Sequence, residues 1–137
     1  MAHYPLTIGT PDGLLFDGEV ERVKCRTITG DLAILAGHSN YCTALGMGDA
    51  YIRLEDGSER HAACVGGMIT MMNNKAHLLA TTWEWKEDID VPRAELSRDN
   101  ALKVLENEDA TPEEKTVAKA RLQRALVRID VAQADNK

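Results

Sequence analysis

Short apolar runs separated by turns fill the chain as far as residue 86. The turns are rich in Gly, Pro, Asn and Asp and recur every ~8–12 residues, a spacing typical of antiparallel β-sandwiches and barrels. The pattern predicts about ten short strands. The clearest runs are Leu6–Ile8, Leu14–Phe16, Val20–Arg26, Leu32–Leu35, Tyr41–Leu45, Ala50–Leu54, Glu59–Val65, Met68–Met72 and Ala76–Ala80. Gly66-Gly67 is expected to break the chain between two of these strands.

The stretch from Phe16 to His38 shows the strand pattern in most detail. Its first half has the imperfect alternation of a half-buried strand, with Val20, Val23 and Cys25 as the apolar positions. Thr29-Gly30-Asp31 supplies turn residues, and Leu32 to Leu35 is a short apolar run suited to a buried strand. Two strands joined by a tight turn are therefore predicted here.

The pattern changes after the last of these runs. From Ile89 onward there is no Gly, and the good helix formers Ala, Leu, Glu, Lys and Arg dominate. Asp90 is suited to cap a first helix that runs to about Asn107. Thr111 and Glu114 form a predicted capping box for a second helix that runs to about Ala134. The fold class predicted is thus an N-terminal antiparallel β-sandwich, residues 1–86, followed by a C-terminal antiparallel two-helix hairpin, residues 87–137.

The apolar seam of this hairpin is thin. The second helix repeats apolar residues at spacings of four and three, namely Ala118, Leu122, Ala125, Ile129 and Ala132. On the first helix Ala94, Ala101 and Leu105 share a stripe that Arg98 interrupts. Because alanine buries little apolar area, we expect the hairpin to be marginally stable and able to detach or extend.

Composition narrows the class of protein further. A net charge of −6 argues against nucleic acid as the main partner, since phosphate binding needs an excess of Lys and Arg. The N-terminal residues lack the basic segment of a signal peptide, and no apolar run reaches the ~18 residues of a membrane span, so direct membrane insertion is not expected. The three cysteines are widely spaced and the four histidines scattered, which predicts reduced thiols and no metal site.

The common catalytic signatures are missing. The sequence has no GxSxG elbow, phosphate-binding loop, GxGxxG fingerprint or HExxH helix. Its carboxylates lie mostly in turns and on helix faces, where solvation explains them. The prediction is that this protein is not an enzyme.

Two sets of side chains are candidate binding groups: a row of arginines on the second helix and a pair of tryptophans just before the first. Arg121, Arg124 and Arg128 follow i, i+3, i+7 spacing and form one basic stripe, either a solvated face or a docking stripe for acidic partners or phosphate. Trp83 and Trp85 bracket Glu84 and point the same way from an extended chain. They either pack in the core or grip a partner subunit.

Several segments together resemble the epsilon subunit of F-type ATP synthases. They are FDGEVERV from Phe16, TGDLAILAGH from Thr29, Thr43-Ala44-Leu45, Gly66-Gly67, Asn73-Asn74-Lys75 and the segment Ile89 to Ala94. The resemblance covers essentially the whole chain. It implies a non-catalytic central-stalk subunit that couples rotation of the gamma subunit and c-subunit ring to ATP synthesis. It also implies inhibition of ATP hydrolysis by a mobile C-terminal hairpin.

The resemblance further implies where partners bind. The β-sandwich would contact gamma and the c ring, with Asp31 and His38 facing the ring; otherwise they are a turn aspartate and a strand-end histidine. Ser39-Asn40 replaces the Ala-Pro that often follows this histidine in the family. The inhibitory docking helix, carrying Arg121, Arg124 and Arg128, would meet the alpha and beta catalytic subunits at an acidic segment of beta. Such a protein is peripheral on the cytoplasmic face of the bacterial cell membrane, with H⁺ or Na⁺ as the coupling ion.

A regulatory ATP site is the last implication of the resemblance. Ile89, Asp90, Arg93 and Ala94 match the ATP-binding motif of some bacterial epsilon subunits, and Arg124, Arg128 and Glu84 match the residues that complete it. The chemistry is suitable, because arginine forks bind phosphate, but Asp90 and the arginines equally suit a helix cap and a solvated face. Asn100 stands where ATP-binding members often have Arg. No cofactor is required, and ATP is a possible regulatory ligand.

Two other functions stay open on the sequence alone. The chain could be a stand-alone ATP-sensing module with the hairpin as its ligand site, or a small hydrolase whose carboxylates act in catalysis. ATP binding without any affinity for gamma would favour the first, and turnover by the isolated chain would favour the second.

Overall fold

A computed structural model describes residues 2–134, which fold into seven strands followed by two α-helices. The strands are β1 Tyr4–Thr10, β2 Gly13–Thr27, β3 Gly30–Leu35, β4 Tyr41–Ala44, β5 Met47–Leu54, β6 Glu59–Met72 and β7 Lys75–Trp85. A short 3₁₀ helix, Lys86–Asp88, leads to α1 Val91–Glu106 and α2 Pro112–Gln133. The predicted fold class, a β-sandwich followed by a helical hairpin, is confirmed.

The strand ladder closes on itself. The hydrogen-bonded order is β1-β7-β6-β5-β2-β3, β4 pairs with β6, and β1 pairs with β2 as well as with β7. All pairings are antiparallel except that of β1 with β7, which is parallel and departs from the all-antiparallel prediction. The parallel pair follows from closure, because β1 must fit between two strands that run in opposite directions.

The number of strands was predicted wrongly as about ten, because two long strands were each divided in two. β2 pairs with β1 through Val20 and continues with β3 and β5, with a register shift between Val20 and Arg22. β6 runs through Gly66-Gly67 with the same register against β7 on both sides, although Gly66 itself has no partner in that ladder. Gly66 and Gly67 have φ of 68° and 114°, which glycine adopts readily, so they interrupt the ladder at one position without ending the strand.

Both helix starts are confirmed at the level of atoms. The Asp90 carboxylate accepts a hydrogen bond from the Arg93 backbone N–H at 3.1 Å. At α2, the Thr111 hydroxyl accepts from the Glu114 N–H at 3.1 Å and the Glu114 carboxylate accepts from the Thr111 N–H at 3.2 Å. These local bonds satisfy backbone donors that the helix leaves free, so each helix starts where its own sequence directs it.

The main core lies inside the sandwich and is largely aliphatic. Its fully buried members include Tyr4, Leu6, Ile8, Ile34, Ile52, Ile69 and Leu78. Trp83 and Trp85 belong to this core, with their rings in an edge-to-face arrangement 5.3 Å apart. The core-packing interpretation of the two tryptophans is therefore the correct one. The domain boundary at residue 86 stays a prediction; the structure has the 3₁₀ helix at this point of the chain.

Candidate functional site

The candidate site is the surface where α2 lies on the outer face of the sandwich. Asp49 on β5, Ala63 on β6 and Glu84 on β7 are directly paired across the strands, so their side chains share one face. Ala63 is only 2% exposed, although it is outside the sandwich core cluster. Since α2 contacts β5 and β6, the helix is what covers this outer row.

An ion pair in the C-terminal third of α2 fastens this helix to the sheet. The Arg128 Nε donates a hydrogen bond to Glu84 Oε1 at 2.9 Å. Both side chains are about one third exposed, at 33% and 30%. Hydrogen bonds between charged groups are stronger than neutral ones, and partial burial limits screening by salt. The bond through Nε leaves the two terminal nitrogens of the Arg128 guanidinium as further donors.

A second polar contact holds the end of α2. The Lys86 ammonium group donates to the backbone carbonyl of Ala134, the residue that caps α2. Carbonyl groups in the last turn of a helix have no partner within the helix, so an ammonium group is a suitable donor for them. Lys86 immediately follows β7, and the contact therefore joins the end of the sheet to the end of the hairpin.

The apolar part of the contact is small. The buried residues of α1 are Ala94 and Ala101, and those of α2 are Ala118, Ala125, Ile129 and Val131. The thin alanine-rich seam predicted from the sequence is thus present, with Val131 as a buried member that the predicted stripe did not include. Only Ile129 and Val131 are large enough to contribute about 1.5–3 kcal/mol each on full burial.

The predicted ATP residues lie around the same surface. Glu84 and Arg128 are joined directly. Ile89, Asp90, Arg93 and Ala94 surround the first turn of α1, with Asp90 occupied as the helix cap and the Arg93 side chain exposed. Because α1 and α2 run antiparallel from their short connection, the first turn of α1 lies beside the part of α2 that carries Arg124 and Arg128.

A groove between the helices lies elsewhere. It has a volume of about 440 Å³ and is lined by Ser97, Asn100, Ala101, Val104, Glu113, Glu114, Val117, Ala118 and Arg121. Arg121 reaches this groove, whereas Arg124 and Arg128 do not line it. The carboxylates of Glu113 and Glu114 would repel a phosphate group, so the groove is electrostatically unsuited to the ATP predicted from the sequence.

The predicted basic stripe divides into two parts. Arg121 and Arg124 are exposed and, within the described part of the chain, neither forms an ion pair. Arg128 is half-buried against Glu84. In this conformation two of the three arginines are therefore available at the surface, and the third is used to hold the helix on the sheet.

The two residues predicted to face the c ring are not brought together. Asp31 lies beside the β2–β3 turn, where its carboxylate pairs with Arg26 at 3.5 Å. His38 follows the other end of β3, with its Nδ1 2.8 Å from the Ser39 carbonyl and its ring edge-to-face with Tyr41. That end is tied to the β6–β7 turn, since Gly37 N–H donates to the Asn74 side chain at 2.9 Å. The four residue steps from Asp31 to Leu35 span roughly 13 Å along β3, and His38 follows that end of the strand.

The sequence analysis did not single out His61, which lies beside this site. Its side chain is buried on the outer face of β6 and stacked on Tyr51, with ring centroids 3.9 Å apart. Strand alternation could have assigned His61 to the face opposite Ala62. Nothing in the local sequence shows that a distant helix covers it.

Other kinds of site receive no support from the part of the chain that is described. Residues 2–134 hold no group of three or more His, Cys, Asp and Glu side chains arranged to bind a metal. Across the same range neither helix combines the length and apolar character needed to cross a bilayer.

Two family domains match the chain in sequence. The beta-sandwich domain of the ATP synthase delta/epsilon chain matches residues 3–86, and the long alpha-helix domain of the same family matches residues 87–133. The ATP synthase epsilon chain of Caldicellulosiruptor bescii is 38% identical over 137 residues, covering 100% of this chain and 98% of its own. The sodium ion specific epsilon chain of Acetobacterium woodii is 34% identical over 105 residues, covering 77% of this chain and 79% of its own.

Solved structures share the fold. A chain in the mitochondrial ATP synthase of Euglena gracilis, solved as an assembly of OSCP, F1 and c-ring, superposes with a TM-score of 0.85 at 19% identity. The match covers 98% of this chain and 83% of that one. Family domains along nearly the whole length, together with epsilon chains that are more than 30% identical, establish the relationship: this chain belongs to the ATP synthase epsilon chains.

Proposed function

We propose that this chain is the non-catalytic epsilon subunit of a rotary ATP synthase, in which the sandwich is the fixed part and the helical hairpin moves. The observation that carries the proposal is the uneven distribution of buried side chains. The sandwich core is built from large aliphatic and aromatic residues, whereas the hairpin buries mainly alanine. A contact of this kind is suited to opening without unfolding the sheet.

The sandwich would bind the gamma subunit and the c ring, as the family resemblance implies. The chain of like fold from Euglena gracilis was solved in an assembly that contains a c-ring, which supports this part of the proposal. Asp31 and His38 lie at opposite ends of β3, so they would serve different contacts. We assign the exposed β2–β3 turn with Asp31 to the ring, and the end with His38 to a neighbouring stalk subunit. Such a subunit would sit on the cytoplasmic face of the bacterial cell membrane without entering the bilayer.

The hairpin would inhibit ATP hydrolysis when it leaves the sheet. Arg121 and Arg124 are already exposed, and release from Glu84 would free the Arg128 guanidinium. The detached helix would then present all three arginines on one side, complementary to an acidic segment of the beta subunit. Docking on the sheet and docking among the catalytic subunits compete for Arg128, which makes the two states exclusive.

ATP would favour the docked state. Glu84, Arg128 and the first turn of α1 come together only when α2 lies on the sheet, so a nucleotide held by them stabilises that state alone. The terminal nitrogens of Arg128 remain as donors for phosphate, and Arg124 lies one helical turn away on the same side. Titration of ATP into the isolated chain tests this part of the proposal, with Arg124→Gln as the variant expected to weaken saturable binding.

Purification of the ATP synthase from native membranes tests the assignment itself. Gamma and the c ring should be recovered with this chain, both at full length and with residues 89–137 deleted. The deletion should raise ATP hydrolysis by the purified complex, because the inhibitory helix is gone. Recovery of ATP binding without gamma would instead identify a stand-alone ATP-sensing module. Unchanged hydrolysis in a normally assembled complex would contradict the inhibitory role.

A further inference from the structure

His61 lies under the helix that the proposed function requires to move. It faces outward from β6, two residues before Ala63, and is 3% exposed. The sandwich core lies on the other side of the strand, with Ala62 and Cys64. On the outer side Tyr51 stacks on its ring, and the elements outside the sheet that contact β6 are α2 and the 3₁₀ helix, which Lys86 joins through its bond to Ala134. Lifting the hairpin would therefore expose His61 to water.

The imidazole of His61 has no hydrogen-bond partner among the described residues while α2 lies on the sheet. Both ring nitrogens are shielded from solvent, and neither forms a hydrogen bond with the described residues. Nε2 is 3.6 Å from the Asp49 carboxylate, too far for a hydrogen bond. A buried imidazolium needs two acceptors for its two N–H groups, and this environment does not offer them.

Charged groups of both signs lie near His61. From β5, the Asp49 carboxylate is 53% exposed, and from α2, Asp130 is exposed, so both are screened by water. Glu59 on β6 is bound by Arg53 at 2.7 Å, and Glu84 on β7 is bound by Arg128 of α2. From the 3₁₀ helix, the Lys86 ammonium group adds repulsion to a proton on His61.

These surroundings disfavour the charged imidazole. Burial lowers the pKa of His61 below its ordinary 6.5; Asp49 opposes this effect, while Lys86 adds to it. The neutral ring instead stacks on Tyr51 at an interplanar angle of 15°, an arrangement that needs no proton. Proton binding and coverage by α2 are therefore unfavourable to each other.

We propose that His61 makes the docking of α2 dependent on pH, so that a proton on its imidazole favours the detached hairpin. The inference rests on the proposed function, since it adds a proton as a regulator of the same movement. A neutral His61 is compatible with the covering helix. A charged His61 gains water as a hydrogen-bond partner only when the helix has left.

The sign and size follow from linkage. The docked state binds the proton less well than the detached state, so docking has its full strength above about pH 6.5 and weakens as pH falls. One proton changes the docking equilibrium by at most about tenfold per pH unit. Between pH 7.5 and pH 5.5 the detached fraction should thus rise by up to about tenfold, until the pKa of the docked state is reached.

Energy transfer in the full-length chain tests the inference. Donor and acceptor dyes are placed on the exposed Cys42 and on a second thiol introduced by Gln123→Cys on the exposed side of α2. The detached fraction is measured from pH 8 to pH 5.5. His77→Gln, a change at an exposed histidine that contacts Thr7, is the matched control and should keep the pH response.

His61→Gln and His61→Phe should both abolish the pH response, and Phe should retain the stack on Tyr51. In unlabelled protein, the His61 ring proton resonances should titrate together with detachment. An equal pH response in either His61 variant would overturn the inference. So would normal titration of His61 near pH 6.5 with no change in the dye distance. ATP hydrolysis by the complex that lacks residues 89–137 tests the proposed function separately. Failure of the proposed function is therefore distinguishable from failure of the His61 inference.

Discussion

Breaking the bond between Glu84 and Arg128 should weaken the docking of the hairpin by a measurable amount. Glu84→Gln and Arg128→Gln each remove one charge while they keep the approximate size of the side chain. Each variant, and the double variant, is compared with the wild-type chain in a thermodynamic cycle. The cycle isolates the pair from other effects of each substitution.

The geometry sets the expected magnitude. Exposed ion pairs contribute about 0.2–1 kcal/mol, and hydrogen bonds to charged groups about 1.5–3 kcal/mol when buried. With an Nε to Oε1 distance of 2.9 Å and side chains about one third exposed, this pair falls between the two classes. We expect a coupling energy of about 1 kcal/mol, which corresponds to about a fivefold change in the docking equilibrium.

Amide hydrogen exchange in α2 is the assay. Exchange from the second half of α2 reports the free energy of local opening, provided that closing is faster than exchange. Arg124→Gln is the matched control, because Arg124 lies on the same helix and is exposed without an ion pair in residues 2–134. High salt should reduce the coupling, since part of the pair is exposed to solvent.

Two outcomes would contradict the expected role of this ion pair. A coupling energy below about 0.3 kcal/mol would place the pair among surface contacts that contribute nothing measurable. An equal loss of protection in Arg124→Gln and Arg128→Gln would show that general helix charge, not the contact with Glu84, controls docking. The first result would show that the ion pair does not stabilise the docked helix. The second would show that the stabilisation does not depend on the contact between Arg128 and Glu84.

Two further predictions concern the sandwich. Cys42 is exposed, whereas burial raises the pKa of Cys25 to about 11 and that of Cys64 to about 12. Alkylation at pH 8 should therefore modify one thiol per native chain and three after unfolding. Modification of more than one thiol in the native chain would contradict the burial of Cys25 and Cys64. Gly67→Ala would place a Cβ 2.0 Å from a backbone carbonyl of β7 at a φ of 114°, and should lower the free energy of unfolding by more than about 3 kcal/mol in a denaturant titration. Gly57→Ala, at a φ of 86° in open space, is the control and should lose only about 1 kcal/mol.

The sequence predicted best what depends on neighbours along the chain. The Asp90 cap and the capping box of Thr111 and Glu114 involve residues three positions apart, so their chemistry is visible in the sequence. The alanine-rich seam followed from helical spacing in the same way. These features do not require any knowledge of how distant segments pack.

The number of strands was wrong for a physical reason. Glycine both ends strands and forms bulges within them, and the choice depends on the partner strand. At Gly66-Gly67, β7 continues alongside and supplies ladder partners on both sides, so β6 runs on. A single sequence shows the glycines but not the partner.

The site was only partly predictable, because its residues come from separate elements. The resemblance to the epsilon subunits named both Glu84 and Arg128, but their contact requires α2 to lie on the sheet. His61 depends even more on tertiary structure, since the covering helix is far along the chain. Asp31 and His38 were expected on one surface, and the length of β3 separates them.

The movement of the hairpin relative to the sheet can be measured most directly in the assembled enzyme. A donor on Cys42 and an acceptor on Gln123→Cys would be followed in single complexes whose other subunits lack cysteine. We predict two distances, with ATP increasing the docked population and ATP depletion the detached one. In separate complexes labelled on Cys42 and on one thiol introduced into gamma, that distance should stay constant. A single unchanged distance from the sheet to α2, in complexes that remain fully inhibited without ATP, would contradict the account.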